Sequence, residues 1–192
     1  MELTCRSKAS MPSNITANHR SPELFDGQAG YFDRRAGLPE EWCRDVAKKV
    51  IEIGGAGPDH LIVEVGSGTG QIGKWFEAPV IYLGFDLSAN MLGEFKHCLD
   101  GSRDKLLIQA DANANWPIVD GAARIIFSSR AAHLLDPERV ASEAFRVAAP
   151  SGATLILGRV ERAPESIKDR LAIEMDECLR RQGFEGRRGH RK

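Results

Sequence analysis

No apolar run in the 192-residue chain approaches the roughly 20 residues that a membrane-spanning helix needs. The first stretch, MELTCRSKASMPSNITANHR, lacks the apolar core of a signal peptide. Residues 1–20 therefore read as a disordered tail rich in Ser, Asn and Thr, and the Asn14-Ile-Thr triplet carries no weight there. Cys5, Cys43, Cys98 and Cys178 form no C-x-x-C pair, which argues against a zinc or redox motif and for thiols in a reducing cytoplasm. Excess charge of one sign is missing too. The net charge of −1 gives no global field toward nucleic acid or an anionic membrane. Internal repeats are absent, and the length suits one domain, expected over residues 21–185, with a short basic tail at 186–192. A frayed end is the expectation for that tail rather than an RNA contact.

What the chain does have is alternation. Pro39 marks a helix start, with Glu40 and Glu41 in the first turn and Gly54-Gly55 as the stop. Trp42, Val46 and Val50 form the expected apolar stripe, flanked by Cys43, Ala47 and Ile51. Strands are predicted at 61–65, 80–85, 105–110, 123–129 and 153–160. A short helix is expected from Gly70 to Glu77, one capped by Ser88 and running to about Leu99, and one opening at Asp136-Pro137. The last helix is expected from Pro164 to Gln182, with Leu171, Met175 and Leu179 on one face. The strands are continuous apolar runs, as in a parallel sheet covered on both sides. The fold class is α/β: a doubly wound, mostly parallel, Rossmann-like sheet of order 3-2-1-4-5 flanked by helices.

In such a sheet the ligand lies beyond the carboxyl ends of the strands. There stands the turn EVGSGTG, residues 64–70, where Gly66, Gly68 and Gly70 permit close approach of a ligand to the backbone. Two cofactor readings compete. GTGQIG, residues 68–73, fits the dinucleotide fingerprint G-x-G-x-x-G, and Asp86 follows at the distance of a ribose contact. Its first glycine should close the strand, however, and Gly66 does that two residues earlier.

The other frame starts at Glu64. E-V-G-S-G-T-G resembles the first motif of class I methyltransferases that use S-adenosylmethionine (SAM), and the resemblance continues along most of the chain. YLGFDLSANML (82–92) resembles that family's second strand, LIQADA (107–112) its third, FSSRAAHLL (127–135) its fourth, and RVAAPSGATLIL (146–157) the helix, turn and fifth strand that follow. FDGQAGYFDRRAGLP resembles the segment that caps the cofactor in small-molecule methyltransferases of the ubiquinone/menaquinone-methylase type. The resemblance implies SAM as cofactor and methyl transfer to a small-molecule acceptor, with no nucleic acid or membrane partner. An NAD(P)-binding oxidoreductase or a non-catalytic SAM-binding partner protein are the alternatives.

The resemblance also implies roles. Asp86 would hold the ribose hydroxyls, for which one carboxylate supplies paired acceptors. Asp111 would lie near the adenine amino group, and Glu64 would help hold the methionine amino end. Gly66, Ser67, Gly68, Gly70, Leu87, Met91, Ala112 and Ser128 would line the cofactor site. By residue type alone, Glu64 reads equally as a strand-end carboxylate paired with a neighbour, and Asp111 as a strand-end cap. In the lead-in, Tyr31 and Arg34 or Arg35 are candidates, an arginine being able to clamp a carboxylate through two bonds. Ser128, Ser129 and Arg130 are placed at the cleft floor. Trp116 reads as packed or edging adenine. His133, just after the fourth strand, is the candidate catalytic base, against a reading as an exposed loop histidine. The family core ordinarily carries seven strands, and five are counted here. The expectation is a dimer formed through the fifth-strand edge, or a shortened and weakly active relative.

Overall fold

The computed structural model describes residues 25–99, 105–158, 167–181 and 183, and the chain divides into two units, Met1–Gly158 and Arg159–Lys192. The 1–20 tail, the 186–192 tail and the start of the last helix at Pro164 lie outside the described residues. The first unit carries a lead-in helix α1 (Ala29–Ala36) and α2 (Glu40–Gly54). Then follow β1 (Leu61–Val65), β2 (Ile81–Asp86), α3 (Ala89–Cys98), β3 (Lys105–Gln109), β4 (Ala123–Ser129), α4 (Pro137–Val147) and β5 (Thr154–Gly158). The second unit holds α5 (Ile167–Arg181), where Met175 is 52% exposed.

Among the described residues the sheet has five strands in the order β3-β2-β1-β4-β5, every pair parallel. This is the predicted order. It follows from burial: Ile62, Val63 and Val65 of β1, Phe85 of β2, and Ile125, Ile126 and Phe127 of β4 are almost wholly removed from water. A side chain of that size contributes about 1.5–3 kcal/mol when fully buried. Helices α2 and α3 cover one face with Cys43, Ala47, Val50 and Phe95. Helix α4 and the loop bearing Trp116 cover the other with Val140, Ala144 and Val147. The outer strands depart from the expectation of burial on both faces. Leu155 and Leu157 of β5 are 44% and 51% exposed, and Leu106 of β3 is exposed, because an outer strand has a neighbour on only one side.

The caps match their chemistry. Ser88 Oγ accepts from Met91 N at 3.1 Å, and the Asp136 carboxylate accepts from Glu138 N and Arg139 N, with Pro137 opening α4. Gly55 ends α2 with φ 59. Two expectations are corrected. The buried stripe of α2 is Cys43, Ala47, Val50 and Gly54, one position from the predicted one, while Trp42 is 60% exposed. Small residues face the sheet because the helix sits close: a Cβ on Gly54 would strike the Ile125 side chain. The predicted helix from Gly70 to Glu77 is only a 3-10 turn, Gly73–Trp75. Gly70 has φ 76, a left-handed residue that cannot begin a right-handed helix, and its bare backbone lies against the Phe95 ring.

Candidate functional site

The glycine turn is suspended from the end of β2. Gly66 N and Ser67 N both donate to Phe85 O, at 2.9 and 3.0 Å. Gly68 N donates to Asp86 Oδ2 at 2.9 Å, and the other oxygen of Asp86 accepts from Ser88 N at 2.9 Å. Each carboxylate oxygen thus holds one backbone N–H, and about two of its four lone-pair sites stay open. Burial raises the Asp86 carboxyl above its usual range, opposed by the N–H groups of Ser88, Gly68 and Leu87.

A cleft opens at this end of the sheet. The glycine turn contributes Gly66, Ser67, Gly68 and Thr69 to its wall, and β1 contributes Glu64. From β2 and the following turn come Phe85, Asp86 and Leu87, with Met91 from α3. Ala110, Asp111, Ala112 and Asn113 follow β3, and Ser129, Arg130, Ala131, Leu134 and Leu135 follow β4. The lead-in adds Phe25 and Phe32. Gly68 has φ 55, and a Cβ there would meet nothing within 4 Å, so the chain turns left-handed beside open space. Ser67 Oγ is buried without a hydrogen-bond partner.

Glu64 is buried, and its Oε2 accepts from the Tyr82 hydroxyl at 2.5 Å. Burial, first of all, pushes its carboxyl up to about 8, with Asp86 adding to the rise and Tyr82 and Arg130 opposing it. Asp111 Oδ1 accepts from Asn113 N at 2.8 Å, a local turn of the kind expected of a strand-end carboxylate.

The lead-in is tied over the cleft by polar groups. Asp33 Oδ1 accepts from Thr69 Oγ1 and from Gln71 Nε2, both at 2.6 Å. Gln71 Oε1 accepts from Leu38 N at 3.0 Å. Asp26 accepts from Ser88 Oγ and Asn90 N. Arg130, left-handed at φ 62, donates from Nη1 to Ala36 O at 2.5 Å, the last carbonyl of α1, and its guanidinium lies 5.8 Å from the Phe32 ring centre.

Of the residues singled out in the sequence, Glu64, Gly66, Ser67, Gly68, Asp86, Leu87, Met91, Asp111, Ala112, Ser129 and Arg130 come together around the cleft. The others do not line it. Tyr31 is exposed at its surface, and Arg35 pairs with Gln28 Oε1 at 2.5 Å. Gly70 is used for packing on Phe95. Ser128 is buried in the sheet, its Oγ donating to Val65 O at 2.9 Å. His133 is exposed, on the 3-10 turn Ala132–Leu134. Trp116 is packed: it lies 5.5 Å from the Phe85 ring and donates to Ala112 O at 3.0 Å. Phe25 and Phe32 escaped the sequence reading. The signal available was their apolar character within a charged lead-in, FDGQAGYFDRR.

An open parallel sheet with a glycine turn and an acidic residue ending its second strand is the architecture in which many α/β proteins hold a nucleoside cofactor. The family described as "Methyltransferase domain" matches residues 63–156, which run from β1 into β5. The matched segment covers just under half of the chain and includes the glycine turn, Asp86 and Asp111. No curated protein matches it in sequence.

Solved structures share the fold. A Bacillus halodurans protein described as a methyltransferase is 24% identical, with a TM-score of 0.53 over 73% of this chain and 61% of its own. A SAM-dependent methyltransferase of Thermotoga maritima is 22% identical, with a TM-score of 0.57 over 81% of this chain and 69% of that one. The [4+2]-cyclase SpnF is 18% identical, with a TM-score of 0.63 over 76% of this chain and 62% of its own. Three of the matching structures are covered over only 57%, 58% and 61% of their lengths, so the chain spans about six tenths of them. No helix among the described residues is long and apolar enough to cross a membrane.

Proposed function

We propose that the protein transfers the methyl group of SAM to a small-molecule acceptor held under the lead-in helix. The arrangement of Asp86 carries this reading. Its carboxylate is fixed by Gly68 N and Ser88 N and still has acceptor sites for two neighbouring ribose hydroxyls. The other wall groups fit the rest of the cofactor. Leu87, Met91, Ala112 and Leu135 are apolar groups of the wall that suit a base, and Asp111 offers an acceptor for its amino group. Ser67 Oγ, buried and unpartnered, has hydrogen-bonding capacity at the cleft wall, and Gly68 leaves room for a ligand beside the backbone.

SAM brings an activated methyl on a sulfonium. The protein's own task is alignment and exclusion of water. Phe25 and Phe32 supply an apolar roof, and Arg130 with Asp33 holds it down. This roof suits a small acceptor better than a polymer threading through. The cleft wall contains no histidine among the described residues. An acceptor that must lose a proton would therefore use solvent rather than His133, which lies outside the wall.

The dinucleotide alternative loses its main support. Gly73, the last glycine of GTGQIG, lies against Tyr82 and Glu64, and no regular helix begins there to present N–H groups to a pyrophosphate. Calorimetric titration with SAM, its demethylated product and NAD, followed by a screen of small acceptors for methyl transfer, tests the proposal. SAM binding with turnover on a small acceptor is expected. Binding of NAD alone, or SAM binding with no methyl transferred to any acceptor class, overturns it.

A further inference from the structure

Behind the glycine turn, two buried polar side chains meet, Tyr82 and Glu64. Tyr82 sits on β2 and Glu64 on β1, and the parallel register sets Glu64 opposite Gly84, two residues beyond Tyr82. Tyr82 and Gly84 face the same side of the sheet. Because Gly84 has no side chain, the Tyr82 hydroxyl can reach diagonally across to Glu64 Oε2, 2.5 Å away. A Cβ on Gly84 would stand 2.7 Å from that hydroxyl. Gly73 closes the other side: its Cβ would strike the same hydroxyl and lie 2.8 Å from Glu64 Oε2. The Tyr82 ring is gripped by Phe76, stacked at 5.5 Å, and by Phe95, edge-on at 6.0 Å. The hydroxyl therefore has one place to point.

We propose that Tyr82 is a positioning residue for the cofactor: it holds one carboxyl oxygen of Glu64, leaves the other for the cofactor's amino group, and makes binding release a proton from Glu64. The inference rests on the SAM-binding reading above. Groups facing Glu64 are Tyr82 and Asp86 from β2 and Arg130 after β4, while Gly73 from the 3-10 turn adds no charge. With its carboxyl raised to about 8, Glu64 holds its proton in the free protein near neutral pH. An ammonium beside it favours the carboxylate, and the proton passes to solvent as the ligand binds. The Tyr82 hydroxyl favours the ionised form by donating to it. Removing it holds the proton more firmly, weakens binding near neutral pH, and moves the rise of affinity to higher pH.

The test is calorimetry with SAM and its demethylated product at about pH 7, in buffers of different ionisation enthalpy. This counts protons released for wild type, Tyr82→Phe and Glu64→Gln. Wild type is expected to release close to one proton and Glu64→Gln none. Tyr82→Phe is expected to bind about tenfold more weakly, the usual loss for one hydrogen bond to a charged group. Wild-type binding without proton release, or release persisting in Glu64→Gln, overturns the inference while leaving SAM binding intact. Tyr82→Phe with wild-type affinity and pH profile overturns the positioning role. Should Tyr82→Phe fail to fold, the proton count of Glu64→Gln decides. Failure of the wild type to bind either ligand overturns the cofactor reading itself.

Discussion

The guanidinium of Arg130 is bonded to the carbonyl of Ala36 at 2.5 Å, joining residues 94 positions apart. One end is the left-handed corner after β4, at the cleft floor; the other is the last turn of the lead-in helix. A cation at a helix C-terminus is favourable in itself, and here it also fixes the roof over the cleft. Arg130→Ala is expected to weaken SAM binding by about five- to tenfold, in line with loss of one charged hydrogen bond, and to speed protease cleavage between Phe25 and Leu38. The melting temperature should move little, since the sheet is untouched. Unchanged binding and unchanged cleavage would reject the tether.

Asp86 has a double task, holding Gly68 N and presenting free acceptor sites to the cleft. Asp86→Ala is expected to abolish detectable SAM binding in calorimetry while far-UV circular dichroism stays native. Retention of wild-type affinity would remove Asp86 from the site.

Glu64 gives the unliganded protein a pH signature. A carboxyl raised in the folded state contributes stability below its unfolded value, near 4.5, and that contribution is lost as pH rises toward about 8. The melting temperature of the free protein is expected to fall between pH 5 and pH 8. In Glu64→Gln the fall should be smaller, because an amide has no proton to lose. Equal slopes in the two proteins would show that Glu64 does not titrate in this window.

Ser128 and His133 are expected to separate from the cofactor residues in mutagenesis. Ser128→Ala removes a buried bond to Val65 O and should cost about 1 kcal/mol in denaturant unfolding, with SAM binding unchanged. His133→Ala, at an exposed position outside the cleft wall, should leave turnover within about twofold. A hundredfold loss of turnover with binding intact would return His133 to the chemistry, since general acid–base groups contribute roughly that much or more.

The sequence by itself determined where the strands lie along the chain, the helix caps at Ser88 and Asp136, and the place of the cofactor turn. These are local properties. A run such as LIVEV has few ways to hide its side chains other than a central strand, and an Asp-Pro pair opens a helix wherever it occurs. Asp86, Gly68 and Asp111 were legible for the same reason: they sit at strand ends, where a doubly wound sheet places its ligands. The tertiary structure decided what depends on neighbours distant in the chain. It rotated the buried face of α2 by one residue, because the helix lies close enough to Ile125 to need Gly54 there. It turned Gly70 and Gly73 from ligand-approach residues into spaces for Phe95 and Tyr82. It chose Phe25 and Phe32 over Tyr31 and Arg35 for the cleft, since which face a short helix presents is set by what covers it. It paired Glu64 with Tyr82 across a bare Gly84, a relation fixed by strand register, which no single strand's residues can encode.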